Sequence, residues 1–104
     1  MIRQWQDSTF DAEVGGTSLP VMIVFTRENC PSCQALLPIL AELQKEMAGQ
    51  VMIGSVDMIL GKAIAERFAV RGTPLTMLWH KSKVRASFVG IRQKVELAAA
   101  IRNL

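Results

Sequence analysis

Residues 20–25, PVMIVF, form an unbroken apolar run rich in β-branched side chains. A strand with no polar face belongs in the middle of a sheet, with helices covering both of its sides. The short break TRENC separates this run from PSCQALLPILAELQKEMAG (31–49), where Leu36, Leu40, Leu43 and Met47 fall on one helical stripe. Gly49 is a natural stop for that helix. Pro38 lies inside it, removes one backbone hydrogen bond, and is expected to kink it. VMIGSVD (51–57) then gives a second mostly apolar strand. A strand, helix and strand of these lengths imply a right-handed parallel crossover.

The remaining segments add to this frame. A short helix is expected over DSTFDAEV (7–14), capped by Asp7 or Ser8, with GGTS ending it. GKAIAERFAV (61–70) reads as another helix, with Ile64, Ala65 and Phe68 facing inward. PLTMLWH (74–80) and VRASFVG (84–90) are separated by three residues and should form an antiparallel hairpin. QKVELAAAIRNL (93–104) closes the chain as an amphipathic helix whose expected core positions are Val95, Leu97, Ala98 and Ile101. An edge strand at Ile2–Trp5 completes an α/β fold: a mixed central sheet with helices on both faces. The 104 residues, half of them hydrophobic, suit one domain spanning 1–104.

Several function classes fit poorly. The formal charge of +3 is scattered, and HKSKVR (80–85) is the one dense basic cluster. Nucleic-acid binding would call for a basic stripe with interleaved aromatics, so no nucleic-acid partner is expected. No apolar run approaches the roughly 18 residues of a bilayer span, and no membrane association is expected. The first residues, MIRQWQDSTF, lack a signal-like apolar stretch. A cytoplasmic location is expected, or a periplasmic or secreted one if a signal has been removed. His80 reads as a surface residue at a strand end, and Met22, Met47, Met52 and Met77 as core filling. Arg27 and Arg71 flank the segments discussed next; solvation outweighs steering as their reading.

The two cysteines, Cys30 and Cys33, occur in NCPSC (29–33). Random placement would give this spacing about one time in fifty. A zinc site needs about four ligands, and the chain offers two thiols and one distant histidine, so no metal is expected. Inert core cysteines fit poorly around Pro31-Ser32. The third reading is a redox pair, and position supports it. Pro31 suits the first position of a helix, which puts Cys30 at the N-cap and Cys33 one turn inside. A Cys30 thiolate would accept a hydrogen bond from the amide of Ser32 or Cys33 and feel the positive end of the helix dipole. After Glu28 the next carboxylate is Glu42, so nothing nearby opposes that charge. These effects make Cys30 the nucleophile and Cys33 the partner that resolves a mixed disulfide.

Along nearly its whole length the chain resembles the thioredoxin family. DSTFDAEV looks like the family's first helix, PVMIVF like its central strand running into Cys-x-x-Cys, Pro38 like its helix proline, and SVD (55–57) like the end of its next strand. RFAVRGTPLTMLW (67–79) is similar to the segment that carries the family's cis-proline. The resemblance implies a thioredoxin fold and thiol–disulfide oxidoreductase activity on protein disulfides or dithiols. It implies no bound cofactor, a monomer, and a reductase or other thiol as electron donor. It also implies that Pro74 is cis, that Gly72, Thr73 and Pro74 receive an extended substrate segment, and that Gly90 lies near the site.

The site departs from the family pattern. Asn29 and Thr26 stand where the family has tryptophans, and Pro31-Ser32 replaces Gly-Pro. Val24 and Ile53 occupy the positions of a buried aspartate and its lysine partner, so both halves of that charge pair are missing together. A reduction potential less negative than thioredoxin's, about −270 mV, is expected. The Cys-Pro-x-Cys motif is more like that of glutaredoxins, which leaves a glutathione-dependent reductase as one alternative. A binding module with little turnover is another.

Overall fold

The computed structural model describes residues 2–104. Its elements run β1 (Arg3–Trp5), α1 (Phe10–Gly15), β2 (Val21–Thr26), α2 (Pro31–Glu46), β3 (Met52–Asp57), α3 (Lys62–Arg67), β4 (Leu75–His80), β5 (Lys83–Val89) and α4 (Lys94–Arg102). Among the described residues the strands make one sheet in the order β1-β3-β2-β4-β5. β1, β3 and β2 run parallel, while β4 and β5 are antiparallel to their neighbours.

β2 is central, and its two faces explain its unbroken apolar sequence. Met22 and Val24 point into a core layer with Leu36, Leu40 and Leu43 of α2, Ile53, Leu78, and Leu97, Ala98 and Ile101 of α4. Val21, Ile23 and Phe25 point the other way, into a layer with Trp5, Phe10 and Val14 of α1, and Ile64 and Ala65 of α3. Met22, Met47, Met52 and Met77 are all buried, as core filling requires. β1 is held close to β3 by a missing side chain: a Cβ on Gly54 would sit 2.5 Å from the Trp5 ring.

Three expectations need correction. Val95 is 68% exposed, and the inward face of α4 is Leu97, Ala98 and Ile101. Val95 lies two residues before Leu97, which on a helix is nearly the opposite side. Asp7 does not cap α1, whose N-cap is Thr9 with no side-chain bond. Its carboxylate instead accepts from the N–H groups of Ala63 and Ile64, both at 3.2 Å, at the start of α3. Helices α2 and α3 also stop earlier than their sequence patterns, at Glu46 and Arg67. α2 continues through Pro38 without a break.

Candidate active site

The site is built at the sheet end where β2 and β3 finish and β4 begins. Thr26, the last residue of β2, pairs with Asp57, the last of β3, and Phe25 pairs with Leu75, the first of β4. Beyond Thr26 the chain turns at Asn29, whose φ of 54° lies in the left-handed region that asparagine tolerates better than most residues. This turn delivers Cys30 to the N-cap of α2 in extended conformation, with Pro31 opening the helix. Proline costs nothing there, because the N–H it lacks would have no partner in the helix.

The N-cap expectation is met through Cys33 rather than Ser32. The Cys33 amide donates to Cys30 Sγ at 3.2 Å. Cys30 and Cys33 are disulfide-bonded, with their Cα atoms 5.2 Å apart. They are 3% and 2% exposed. No acidic residue occupies the first turn of α2, so the positive helix end faces the sulfurs without a competing carboxylate. Pro31 and Ser32, between the cysteines, are exposed, as is Asn29 before them.

The second wall of the site is the segment that enters β4. Thr73 Oγ1 approaches Cys30 Sγ at 4.0 Å. The Thr73–Pro74 peptide bond is cis. Gly90 donates its N–H to the Pro74 carbonyl at 3.0 Å, which brings the end of β5 alongside. Gly72, just before Thr73, is exposed and has open space around its Cα. Thr73 thus lies beside Cys30 although it is about 40 positions along the chain from it, and Gly90 joins the segment through Pro74.

Beneath the disulfide the protein is apolar. Val24 and Ile53 are fully buried in the layer that contains Leu36, one turn after Cys33. Thr76, opposite Val24 on β4, is buried there too. Its hydroxyl has no hydrogen-bond partner among the described residues. His80 ends β4 five residues from Leu75, on the order of 17 Å from the cysteine end at the usual rise per strand residue. That distance removes it from the chemistry. Arg27 and Arg71 are exposed near the site, and Arg27 donates to the neighbouring Glu28 carbonyl at 3.3 Å. Among the described residues no group of three or more His, Cys, Asp or Glu side chains could hold a metal.

Sequence reasoning missed an apolar rim. Ile59, Leu60, Val89 and Ile91 are large, exposed, and lie in the loops and strand ends of this same sheet end. Asp57 Oδ1 accepts from the amides of Ile59 at 2.8 Å and Leu60 at 3.1 Å, which fixes the loop that displays them. The available signal was modest: apolar MIL and VGI triplets placed just past strand ends, where turn residues would be ordinary.

A mixed sheet of this order, carrying a Cys-x-x-Cys pair at the start of the helix after its central strand, defines the class of thiol–disulfide oxidoreductases. The thioredoxin family model matches residues 1–103. The chain is 30% identical over 97 residues to a thioredoxin of Rickettsia bellii (strain RML369-C), covering 93% of this chain and 92% of that one. It is 34% identical over 95 residues to thioredoxin C-2 of Corynebacterium nephridii, covering 91% and 88%. The chain belongs to the thioredoxin family. Its fold, its redox-type cysteine pair and its thiol–disulfide oxidoreductase activity follow from that membership.

Proposed function

We propose that Cys30 is the attacking thiolate and Cys33 the resolving thiol of a protein disulfide exchange cycle. Cys30 Sγ attacks one sulfur of a substrate disulfide, and the other substrate sulfur leaves with the electron pair and takes a proton. The Cys33 thiol then loses its proton and attacks Cys30 Sγ. The bond to the substrate breaks, the second substrate sulfur leaves as a thiol, and the Cys30–Cys33 disulfide closes. The observation that carries this reading is the N-cap position of Cys30. There its sulfur accepts the Cys33 amide at 3.2 Å, at the positive end of a 16-residue helix. Only the charged sulfur is nucleophilic, and both contacts favour it.

In this reading Thr73 and Pro74, with Gly72, receive an extended segment of the substrate beside Cys30. Asn29, Pro31 and Ser32 flank the reacting sulfurs. The exposed rim of Ile59, Leu60, Val89 and Ile91 gives a folded protein partner an apolar seat. The chain works as a monomer of one domain in the cytoplasm, and a thiol reductase returns it to the dithiol. Its reduction potential lies above about −270 mV, because the Cys30 thiolate of the reduced state meets the helix N-terminus with no acidic residue in the first turn.

Insulin reduction driven by dithiothreitol tests the cycle. The wild-type chain should accelerate it, and Cys30→Ser should abolish the acceleration. Cys33→Ser should accumulate a mixed disulfide with the substrate. Acceleration that survives Cys30→Ser would contradict the assignment. Replacing dithiothreitol by thioredoxin reductase with NADPH, or by glutathione, then separates the two candidate donors.

A further inference from the structure

Two cavities flank α2 on the side away from β4 and meet to form one groove. The larger, about 380 Å³, has Gln4 and Ser55 on its floor and Leu37, Pro38 and Ala41 on its helix wall. The smaller, about 240 Å³, shares Gln4, Leu37 and Ser55 and continues to Thr26, Asp57 and Leu60. Thr26 ends β2 four residues before Cys30, and Leu60 belongs to the exposed rim. The groove therefore starts at the site and runs down the edge of the sheet between β1 and α2. From Gln34 to Ala41 the helix rises about 10 Å, the length of roughly three residues of extended chain.

Its chemistry is that of a peptide acceptor. The larger cavity is lined by apolar and neutral polar side chains, with no charge among its described residues. Gln4 and Gln34 bring two carboxamides whose groups match those of a main chain. Pro38, having no N–H, leaves the Gln34 carbonyl without its usual helical donor, and both residues line the groove. Among the described residues β1 is an edge strand, and no further strand covers this flank.

We propose that this groove receives an extended, uncharged stretch of the disulfide-bearing protein substrate, on the opposite side of Cys30 from Thr73 and Pro74. The inference rests on the proposed exchange cycle, since its occupant is that cycle's substrate. The groove's continuity with the site favours the substrate over an unrelated partner. The uncharged lining of the larger cavity selects small and apolar side chains there, while Asp57 in the smaller one is engaged by the Ile59 and Leu60 amides; the carboxamides hold the main chain.

Two variants test it, each assayed with insulin and with the small disulfide bis(2-hydroxyethyl) disulfide under dithiothreitol. Ala41→Arg places a long cation in the groove. Pro38→Ala restores the N–H that closes on the Gln34 carbonyl, and it folds readily because alanine is the better helix former. Both should raise KM for insulin, Ala41→Arg by about tenfold, equivalent to 1.4 kcal/mol of lost association. For both, kcat and the rate with the small disulfide should stay unchanged. An unchanged insulin KM in both variants would overturn the inference, as would an equal loss on both disulfides. A wild-type dimer that Ala41→Arg dissociates would assign the groove to a second copy and overturn it as well. A wild-type chain that reduces neither disulfide would remove the exchange cycle itself, and this inference with it.

Discussion

Replacing Thr76 by valine would exchange one buried oxygen for a methyl group of nearly the same shape. Thr76 is 0% exposed, sits opposite Val24 on one side and Phe88 on the other, and its hydroxyl has no partner among the described residues. Folding strips that hydroxyl of water and returns nothing, a cost of roughly 1–3 kcal/mol. The new methyl adds about 0.8 kcal/mol of apolar burial. Both residues are β-branched, so strand preference and χ1 stiffness barely change. Thr76→Val should therefore stabilise the oxidised protein by at least about 1 kcal/mol, or on the order of 4 °C or more in Tm for a chain of this size. In urea the midpoint should rise by roughly 0.5 M with an unchanged slope. Insulin reduction should continue at the wild-type rate. A midpoint that stays put or falls would mean that the hydroxyl has a partner after all, such as a buried water, and that the layer beneath the disulfide is not dry.

Other parts of the fold give equally direct expectations. Gly54→Ala should cost about 1–3 kcal/mol, the usual range for overpacking, because the new Cβ would fall 2.5 Å from the Trp5 ring. Urea unfolding and the near-ultraviolet signal of Trp5 would both show it. Asp7→Ala should cost about 1 kcal/mol as a lost helix cap, and Asp7→Asn should keep only part of that, since Ala63 and Ile64 donate to separate carboxylate oxygens and the single amide oxygen can accept from one of them. Lys94 ties α4 to α2 by bonding Glu42 and Glu46. The Lys94 hydrogen bond, and then its charge, hold the Glu42 carboxyl below its usual 4.5, while bonds to Glu42 and Glu46 raise the Lys94 amine above 10.5. Glu42's share of stability is thus present above about pH 4.5 and lost as pH falls through its lowered pKa; Lys94's is present below about pH 10.5 and lost as pH rises through its raised one. Lys94→Met should lower the urea midpoint at pH 7 and match the wild type near pH 2. An equal deficit at both values would mean that the lysine stem, not its charge, joins the helices.

The order of elements was legible because each depends on local pattern. PVMIVF is apolar on both faces and had to be central; Pro31 could only begin a helix; three residues between two strand patterns could only be a hairpin. The cysteine pair was legible for the same reason, since its N-cap position is written in five consecutive residues. What local pattern does not carry is contact between distant segments. Asp7 has the right type to cap the helix that follows it, yet it caps α3, some 56 positions away, because β1 brings it there. Val95 is apolar but stands two residues from the buried stripe, so helical phase overrides hydrophobicity. The rim and the groove were invisible because both join loops and edges that only the folded sheet places together. Val24 and Ile53 show the reverse case: apolar residues there look ordinary, and their meaning comes only from the resemblance to a family that has charges at those positions.

The most direct test of the central claim is the pKa of Cys30 in the reduced protein, read from the pH dependence of its alkylation by iodoacetamide in the Cys33→Ser variant. A sulfur that accepts the residue 33 amide at the N-cap of α2, with no acidic residue in the first turn, should titrate well below a free thiol. Alkylation should then already be near its plateau at pH 7. A titration centred at about 8.5, the value of an unperturbed cysteine, would show that the helix N-terminus does not activate Cys30 and would contradict the account.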